Sequence, residues 1–255
     1  MPAHHPMRIL VLNPNTSEDI TARLMSVAEQ AAAPGTELHA LTASRGVPYI
    51  ATRAEAQIGG AVALEMLAEH HAEYDAAIIA AFGDPGLMGA RELFDLPVVG
   101  MAEAAMLSAC MLGRRFAIVT FARALGPWYE ECVDMHGLRG RLAGIRMLNG
   151  AFTSVSDVQE EKEALLIELA NRAVEEDEAD VVILAGAPLA GLAARVRHRI
   201  PVPVVDQMAA ALKQAEALVA LHPRKATAGT FRRPDAKSTI GLPTALAARI
   251  EHRRT

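Results

Sequence analysis

The sequence predicts an α/β fold of two pseudosymmetric lobes, each a mostly parallel sheet flanked by helices, with the active-site cleft between them. Three observations predict it. Apolar segments of strand length alternate with amphipathic segments of helix length, which implies right-handed crossover units and parallel sheets. Several strand segments are continuously apolar, as strands covered on both faces are. The chain also repeats itself. Asp75 to Ala81 (DAAIIAA) matches Asp180 to Gly186 (DVVILAG), and Gly86-Leu87 matches Gly191-Leu192 at the same offset. Pro97 to Gly100 (PVVG) then matches Pro203 to Asp206 (PVVD) with a slip of one residue.

The elements follow in order. Residues 8–13 read as a buried strand, Pro14 to Ser17 as a polar turn, and Glu18 to Ala32 as a helix with Ile20, Leu24 and Val27 on one face and Ser17 as N-cap. Residues 37–42 are a second strand, Ala54 to His71 a helix, and 76–82 a third strand. Leu96 to Val99 is a short strand and Ala102 to Met111 a helix. The second half restarts with a strand at 115–120, a helix from Pro127 to His136 and a weak strand at 145–148. An amphipathic helix at 157–176, a buried strand at 180–185, a strand from Val202 to Val205 and a helix from Asp206 to Leu221 complete it. Lobe 1 is expected over residues 1–108, completed by 222–255, and lobe 2 over 109–221. Ligands of open parallel sheets sit beyond the carboxyl ends of the strands. The turns after Asn13, Ala81, Thr120 and Gly186 should therefore surround one cleft.

Composition bounds the function. The 255 residues suffice for two lobes with their own cores, built from Ala, Val, Leu, Ile and Met because only 4% are aromatic. A net charge of −5 argues against a general nucleic-acid partner, which needs a basic surface. The two cysteines, Cys110 and Cys132, make no disulfide framework and point to a reducing compartment. The start MPAHHPMRILVLNPN lacks the features of a signal peptide, and no apolar run approaches the ~20 residues that span a bilayer. The expectation is a cytoplasmic protein with a small-molecule ligand and no membrane partner.

The predicted turns carry the candidate chemistry. Asn13-Pro14-Asn15-Thr16-Ser17 lies between a strand and a helix, where free N–H groups and a partial positive charge suit a carboxylate or a polarised carbonyl; a capped Pro turn is the plainer alternative. In Phe82-Gly83-Asp84-Pro85-Gly86-Leu87, Asp84 is the single carboxylate. It reads either as the N-cap of its own helix with Pro at N1, or as a general acid or base in a partly closed cleft. Thr120, with Phe121 after it, ends a strand and offers a donor to a substrate oxygen. Gly186-Ala187-Pro188 has no reactive side chain but leaves room and exposes backbone N–H groups. Cys110 reads as core, and Glu130 and Glu131 beside Cys132 should raise its thiol pKa. The nine histidines show no metal spacing, and no GxGxxG, Walker or GxSxG motif is present, so no metal or cofactor is expected. The basic stretch from His222 to Lys237 reads as a solvated or subunit-wrapping strap.

Taken together, MRILVLNPNTS, AFGDPGL, PVVGMAEAA, ILAGAPLAGL and PVPVVDQMAAALKQAEALV resemble the aspartate/glutamate/hydantoin racemase superfamily, with the hydantoin and allantoin racemases nearest in look. The resemblance covers nearly the whole chain. It implies a pseudosymmetric two-lobed fold, an active site between the lobes, no cofactor and a homo-oligomer. It also implies one cysteine in each duplicated turn, one removing an α-proton and the other returning it on the opposite face. Here those positions are Ala81 and Gly186, which cannot transfer protons. The residues resembling the binding frame, Asn13, Asn15, Thr16 and Ser17 with Thr120, remain. Three readings stay open: an enzyme with altered chemistry (hydrolysis, decarboxylation or one-base isomerisation), a racemase with its cysteines substituted, and a non-catalytic binding protein. The candidate catalytic residues are Asp84 and Thr120. The substrate-binding set is Asn13, Asn15, Thr16, Ser17, Ala81, Phe82, Gly83, Phe121, Gly186, Ala187 and Pro188.

Overall fold

Among the described residues, eight strands make two parallel four-stranded sheets with the same order in each. Strands β1 (Met7–Asn13), β2 (Thr36–Thr42), β3 (Ala76–Ile79) and β4 (Val98–Gly100) run β2-β1-β3-β4. Strands β5 (Phe116–Thr120), β6 (Leu142–Met147), β7 (Val181–Leu184) and β8 (Val204–Asp206) run β6-β5-β7-β8. The computed structural model describes residues 6–149 and 157–253; the opening MPAHH, read above for a leader, lies outside them. Among the described residues no helix is long and apolar enough to cross a membrane.

The repeat extends to side-chain detail. The carboxylate of Asp75 accepts from the Arg8 N–H at 2.8 Å, fixing the start of β3 against β1. Asp180 does the same for β7 and β5, accepting from the N–H groups of Arg114 and Arg115 at 2.8 Å. Of the central strands, β3, β5 and β7 are fully buried and β1 is buried from Ile9 onward, as their apolar runs require.

The long helices form where the sequence pattern places them: α1 (Glu18–Ala31), α2 (Arg53–His70), α4 (Met101–Leu112), α5 (Gly126–Met135), α6 (Val158–Asp177) and α8 (Gln207–Ala220). Ser17 caps α1 by accepting from the Ile20 N–H. Three short helices escape the pattern: α3 (Leu87–Leu93), α7 (Leu192–Val196) and α9 (Thr244–Ile250). Each has two turns or fewer, too short for a 3.6-residue period to show. Strand β3 stops at Ile79, so Ala80 to Phe82 belong to the turn rather than to a strand.

The lobes exchange helices. Helix α4 follows β4 but packs on β7 and β8, whereas α8 follows β8 and packs on β1, β3 and β4. The two helices lie against each other between the sheets. Glu216 of α8 ties this arrangement to lobe 1, its carboxylate accepting from the Ala33 N–H and the Thr36 hydroxyl, both at 2.8 Å. The basic strap crosses lobe 1 of its own chain: Lys225 Nζ donates to the carbonyls of Arg91 and Glu92, and Arg249 Nε donates to that of Leu93 at 3.0 Å.

The halves differ in how the exchanged helices begin. Asp206 caps its own helix α8, accepting from the N–H groups of Met208 and Ala209. Its counterpart before α4 is Gly100, which has no side chain. Asp84 supplies the carboxylate from the preceding turn, accepting from the Ala102 and Glu103 N–H groups at 2.8 Å each. One of the two sequence readings makes Asp84 the cap of its own helix, but Gly86 is the N-cap of α3 and the Asp84 backbone is left-handed with φ 52°. That conformation, which Asp tolerates better than most residues, turns its side chain across to α4. A Cβ at position 100 would lie 2.6 Å from Asp84 Oδ2. Gly100→Ala should therefore cost about 1–3 kcal/mol of unfolding free energy in a urea titration, the clash adding to the poorer N-cap preference of alanine; an unchanged midpoint would show that the carboxylate can move aside.

Candidate functional site

The Asn-Pro-Asn-Thr-Ser turn is a self-bonded latch. Asn13 is fully buried, and its amide nitrogen donates to Asn15 Oδ1 at 3.0 Å, the Ser17 carbonyl at 3.1 Å and Thr21 Oγ1 at 2.9 Å. Asn15 Oδ1 also accepts from the Ser17 N–H at 2.9 Å. These bonds spend Asn13 on fixing the turn. Thr16 reaches outward with its backbone, donating N–H to the Val47 carbonyl at 3.0 Å. It thereby pins the loop at 43–52 over the ends of the strands.

A small cavity lies under that loop. Asn15, Tyr49, Ile50, Ala81, Phe82, Trp128, Tyr129 and Ala187 line it, and its volume of about 10 Å³ holds roughly one water-sized group. Four of the predicted binding residues, Asn15, Ala81, Phe82 and Ala187, thus face one space between the sheets. Aromatic rings close it: Phe82 and Tyr129 have centroids 4.7 Å apart, Trp128 and Tyr129 5.7 Å, Tyr49 and Phe121 5.8 Å. Gly83 lies under the Trp128 indole, which occupies the place of a Cβ there.

Gly186 is held by a side chain from the exchanged helix. Its N–H donates to Gln207 Oε1 at 2.9 Å and its carbonyl accepts from Gln207 Nε2. Its φ is +108°, a backbone that L side chains rarely adopt, and a Cβ would meet Phe121 at 2.8 Å and the Tyr129 hydroxyl at 3.3 Å. Pro188 is buried beside it, its carbonyl accepting from Gln159 Nε2 at 2.8 Å.

The two candidate catalytic residues, Asp84 and Thr120, are not among the residues lining this cavity. Thr120 is fully buried, donates its hydroxyl to the Ala185 carbonyl at 2.9 Å and is hydrogen-bonded to Tyr129, so it positions a phenol and joins two strand ends. Asp84 is 2% exposed and lies at the wall of a separate groove, not in the inner cavity. Besides the two α4 N–H groups, it takes His136 Nε2 at 2.9 Å. The other imidazole nitrogen lies 3.3 Å from Glu103, which in turn pairs with Arg91. Burial pushes the His136 pKa down, but the hydrogen bonds it donates to Asp84 and Glu103 outweigh it and hold the imidazole at about 9. Burial likewise raises Glu103, and His136 and Arg91 overcome it, bringing the carboxyl to about 2.

His136 escaped sequence reasoning, and so did its neighbour. Cys132 stands four residues earlier on α5, and Asp84, Cys132 and His136 offer ligand atoms within 4.8 Å of one another. The Cys-x-x-x-His spacing was the available signal. As built, the protonated imidazole already holds the cationic place between Asp84 and Glu103. The Cys132 thiol is pushed well up by burial and by Asp84 and Glu103, not by the Glu130 and Glu131 that its sequence neighbourhood suggests. Beside this cluster a groove of about 520 Å³ opens, lined by Arg53, Gln57, Gly83, Asp84, Trp128 and Glu131 among others, with Arg53 and Glu131 paired across its mouth. Trp128 is shared by the groove and the inner cavity.

The sequence profile of the Asp/Glu/hydantoin racemase family matches residues 9–215. A hydantoin racemase of Paenarthrobacter aurescens is 35% identical over 236 residues, covering 92% of this chain and all of the relative. The solved allantoin racemase from Klebsiella pneumoniae superposes with a TM-score of 0.88 at 34% identity, over 94% of this chain and 98% of that one. That of Pseudomonas fluorescens gives 0.85 at 33% identity, over 92% and 100%.

Two outcomes follow from the buried network. The His136 pKa of about 9 lies above its ordinary 6.5, so the stabilisation is complete below about pH 6.5 and is lost as pH rises through 9. Glu103, held at about 2 against an ordinary 4.5, contributes fully above about pH 4.5 and loses its contribution as pH falls through 2. Urea titrations of the parent and of His136→Gln should converge toward pH 10 and separate near pH 6. Asp84→Asn turns an amide NH₂ toward a donor already in place and should cost about 1–3 kcal/mol. An unshifted melting temperature would show the three contacts to be dispensable.

Proposed function

The chain belongs to the Asp/Glu/hydantoin racemase family, and we propose that it is a cofactor-independent enzyme that binds a small hydantoin- or ureide-type carbonyl compound between the lobes and exchanges its α-proton without a thiol pair. The ring chemistry comes from the relatives, which are named hydantoin and allantoin racemases; allantoin is itself a substituted hydantoin. The departure from thiol chemistry rests on Gly186. Its left-handed backbone and the rings of Phe121 and Tyr129 at its Cβ position leave no place for a cysteine side chain. At the opposite turn, Ala81 faces the cavity.

What the cavity offers is a neutral donor, the Tyr49 hydroxyl, unpaired among the described residues, beside the neutral phenol of Tyr129, which is bonded to Thr120. Burial pushes the Tyr49 phenol well above its usual range, with Tyr129 and Glu55 adding to the shift, and pushes the Tyr129 phenol up likewise. Neutral hydroxyls in a water-poor site stabilise charge developing on a carbonyl oxygen. They lower the barrier to enolate formation, and water or hydroxide takes the proton. Asp84 enters this reading as a positioning residue that fixes α4 and the turn after Ala81.

A binding protein without turnover is the second reading, favoured by the small size of the cavity, about 10 Å³, which has to widen for a ring to enter. We further propose a cytoplasmic homo-oligomer: Met111 at the end of α4 is 82% exposed and Leu221 after α8 74%, apolar surface suited to a partner copy.

The test is proton NMR of L- and D-5-substituted hydantoins and of allantoin in D₂O. Exchange at the ring carbon above the protein-free rate, unchanged after iodoacetamide, is the expected result. Racemisation abolished by alkylation and protected by ligand would overturn the thiol-free mechanism. Ligand-induced thermal stabilisation without exchange would select the binding protein. Gly186→Cys should gain no racemisation and lose about 1–3 kcal/mol of stability to backbone strain. A functional gain from that single change would contradict the reading of position 186.

A further inference from the structure

The Tyr49 hydroxyl is buried and, among the described residues, has no hydrogen-bond partner. A buried, unpaired phenol is costly, because its lost hydration is repaid by nothing. The other phenol of the cavity shows the contrast. Tyr129 is bonded to Thr120, whose own proton goes to the Ala185 carbonyl, so the Tyr129 proton is spent on the fold. Tyr49 lines the same cavity, facing Asn15, Ala81 and Ala187, and the space there has the size of a single oxygen.

Tyr49 also stands where it can respond to a ligand. Its loop at 43–52 is held by two kinds of tether. The Val47 carbonyl accepts from the Thr16 N–H, and the N–H groups of Ala51 and Thr52 donate to Glu55 at 2.7 and 2.9 Å. The ring rests on Phe121. The hydroxyl is thus aimed by its flanks and left unsatisfied at its tip. Its environment keeps the phenol protonated, so it presents a donor to the cavity.

We infer that Tyr49 is the substrate-oxygen donor of this site: its hydroxyl donates to one carbonyl or carboxylate oxygen of the ligand, seated in the cavity between Ala81 and Ala187. The inference rests on the reading of the chain as a small-carbonyl binder and names the group that recognises the carbonyl. It sets the ligand's chemistry at that point. An sp² oxygen fits as an acceptor, whereas a methyl group would leave the phenol as unpaired as before. It also explains why a neutral phenol suits the place. A carboxylate there would repel both a carbonyl oxygen and a developing enolate.

The experiment is Tyr49→Phe, which removes the hydroxyl and keeps the ring, beside Tyr129→Phe. Three probes are used: 5-methylhydantoin and allantoin for the ring carbonyl, and malonate for the carboxylate. The free Tyr49→Phe protein should melt at or above the parent temperature, because an unsatisfied buried donor has been removed, whereas Tyr129→Phe should melt lower. At least one probe should stabilise the parent, and Tyr49→Phe should bind it ten- to a hundredfold more weakly by calorimetry. A Tyr49→Phe protein that melts several degrees below the parent would show that the hydroxyl has a structural partner, and would overturn the inference. Undiminished affinity in Tyr49→Phe would overturn it, as would a parent that binds none of the three. Binding that depends on Tyr49 but leads to no proton exchange would sustain this inference and remove only the enzymatic reading.

Discussion

Helix α4 begins in the interior, between two sheets, and the first N–H groups of a helix cannot be left bare there. The Asp84 carboxylate meets that constraint. It accepts from two α4 N–H groups and from His136 of the other lobe, and a bare carboxylate in this place would cost far more than any of these bonds returns. Once the carboxylate is committed, other features follow. Position 100 has to be glycine, the turn after β3 has to pass through a left-handed residue, and α5 has to end with its imidazole against the turn. Glu103 and Arg91 extend the same charge network to α3.

The second half meets the equivalent constraint by a shorter route. Asp206 sits directly before α8, caps it, and accepts the Gly191 N–H at 2.6 Å. The turn after β7 therefore needs no carboxylate, and apolar Leu189 stands opposite Asp84 in the repeat. This releases Gln207, buried at the start of α8, to grip both sides of the Gly186 peptide. The cavity is accordingly asymmetric: one wall is set by an ionic network and the other by an amide clamp with aromatic packing.

The two-lobed fold was legible because it rests on period and repetition. Unbroken apolar runs such as residues 181–185 and a repeat whose register slips by only one residue survive without knowledge of any contact. The site was legible in outline and opaque in its chemistry. Ala81, Phe82, Asn15 and Ala187 were reachable because they sit at strand ends. Asp84 was located correctly in the chain, but its partners lie 18, 19 and 52 residues away, beyond what local pattern can carry. Tyr49 comes from a loop with no period. Its one signal was scarcity: of three tyrosines, six phenylalanines and one tryptophan in the chain, five ring residues gather about one small space.

The exchange of α4 and α8 bears on how the protein is made. The first sheet is complete in sequence by Gly100, yet the helix that covers β1, β3 and β4 is not reached until Gln207 to Ala220. On the ribosome, more than a hundred residues separate a finished sheet from its cover, a delay on the order of ten seconds at ordinary synthesis rates. For that interval one apolar face is bare or borrows a temporary cover, such as α4 folded back on its own sheet. The first sheet cannot complete its packing until the second half emerges, so the two halves reach their final state together rather than in turn.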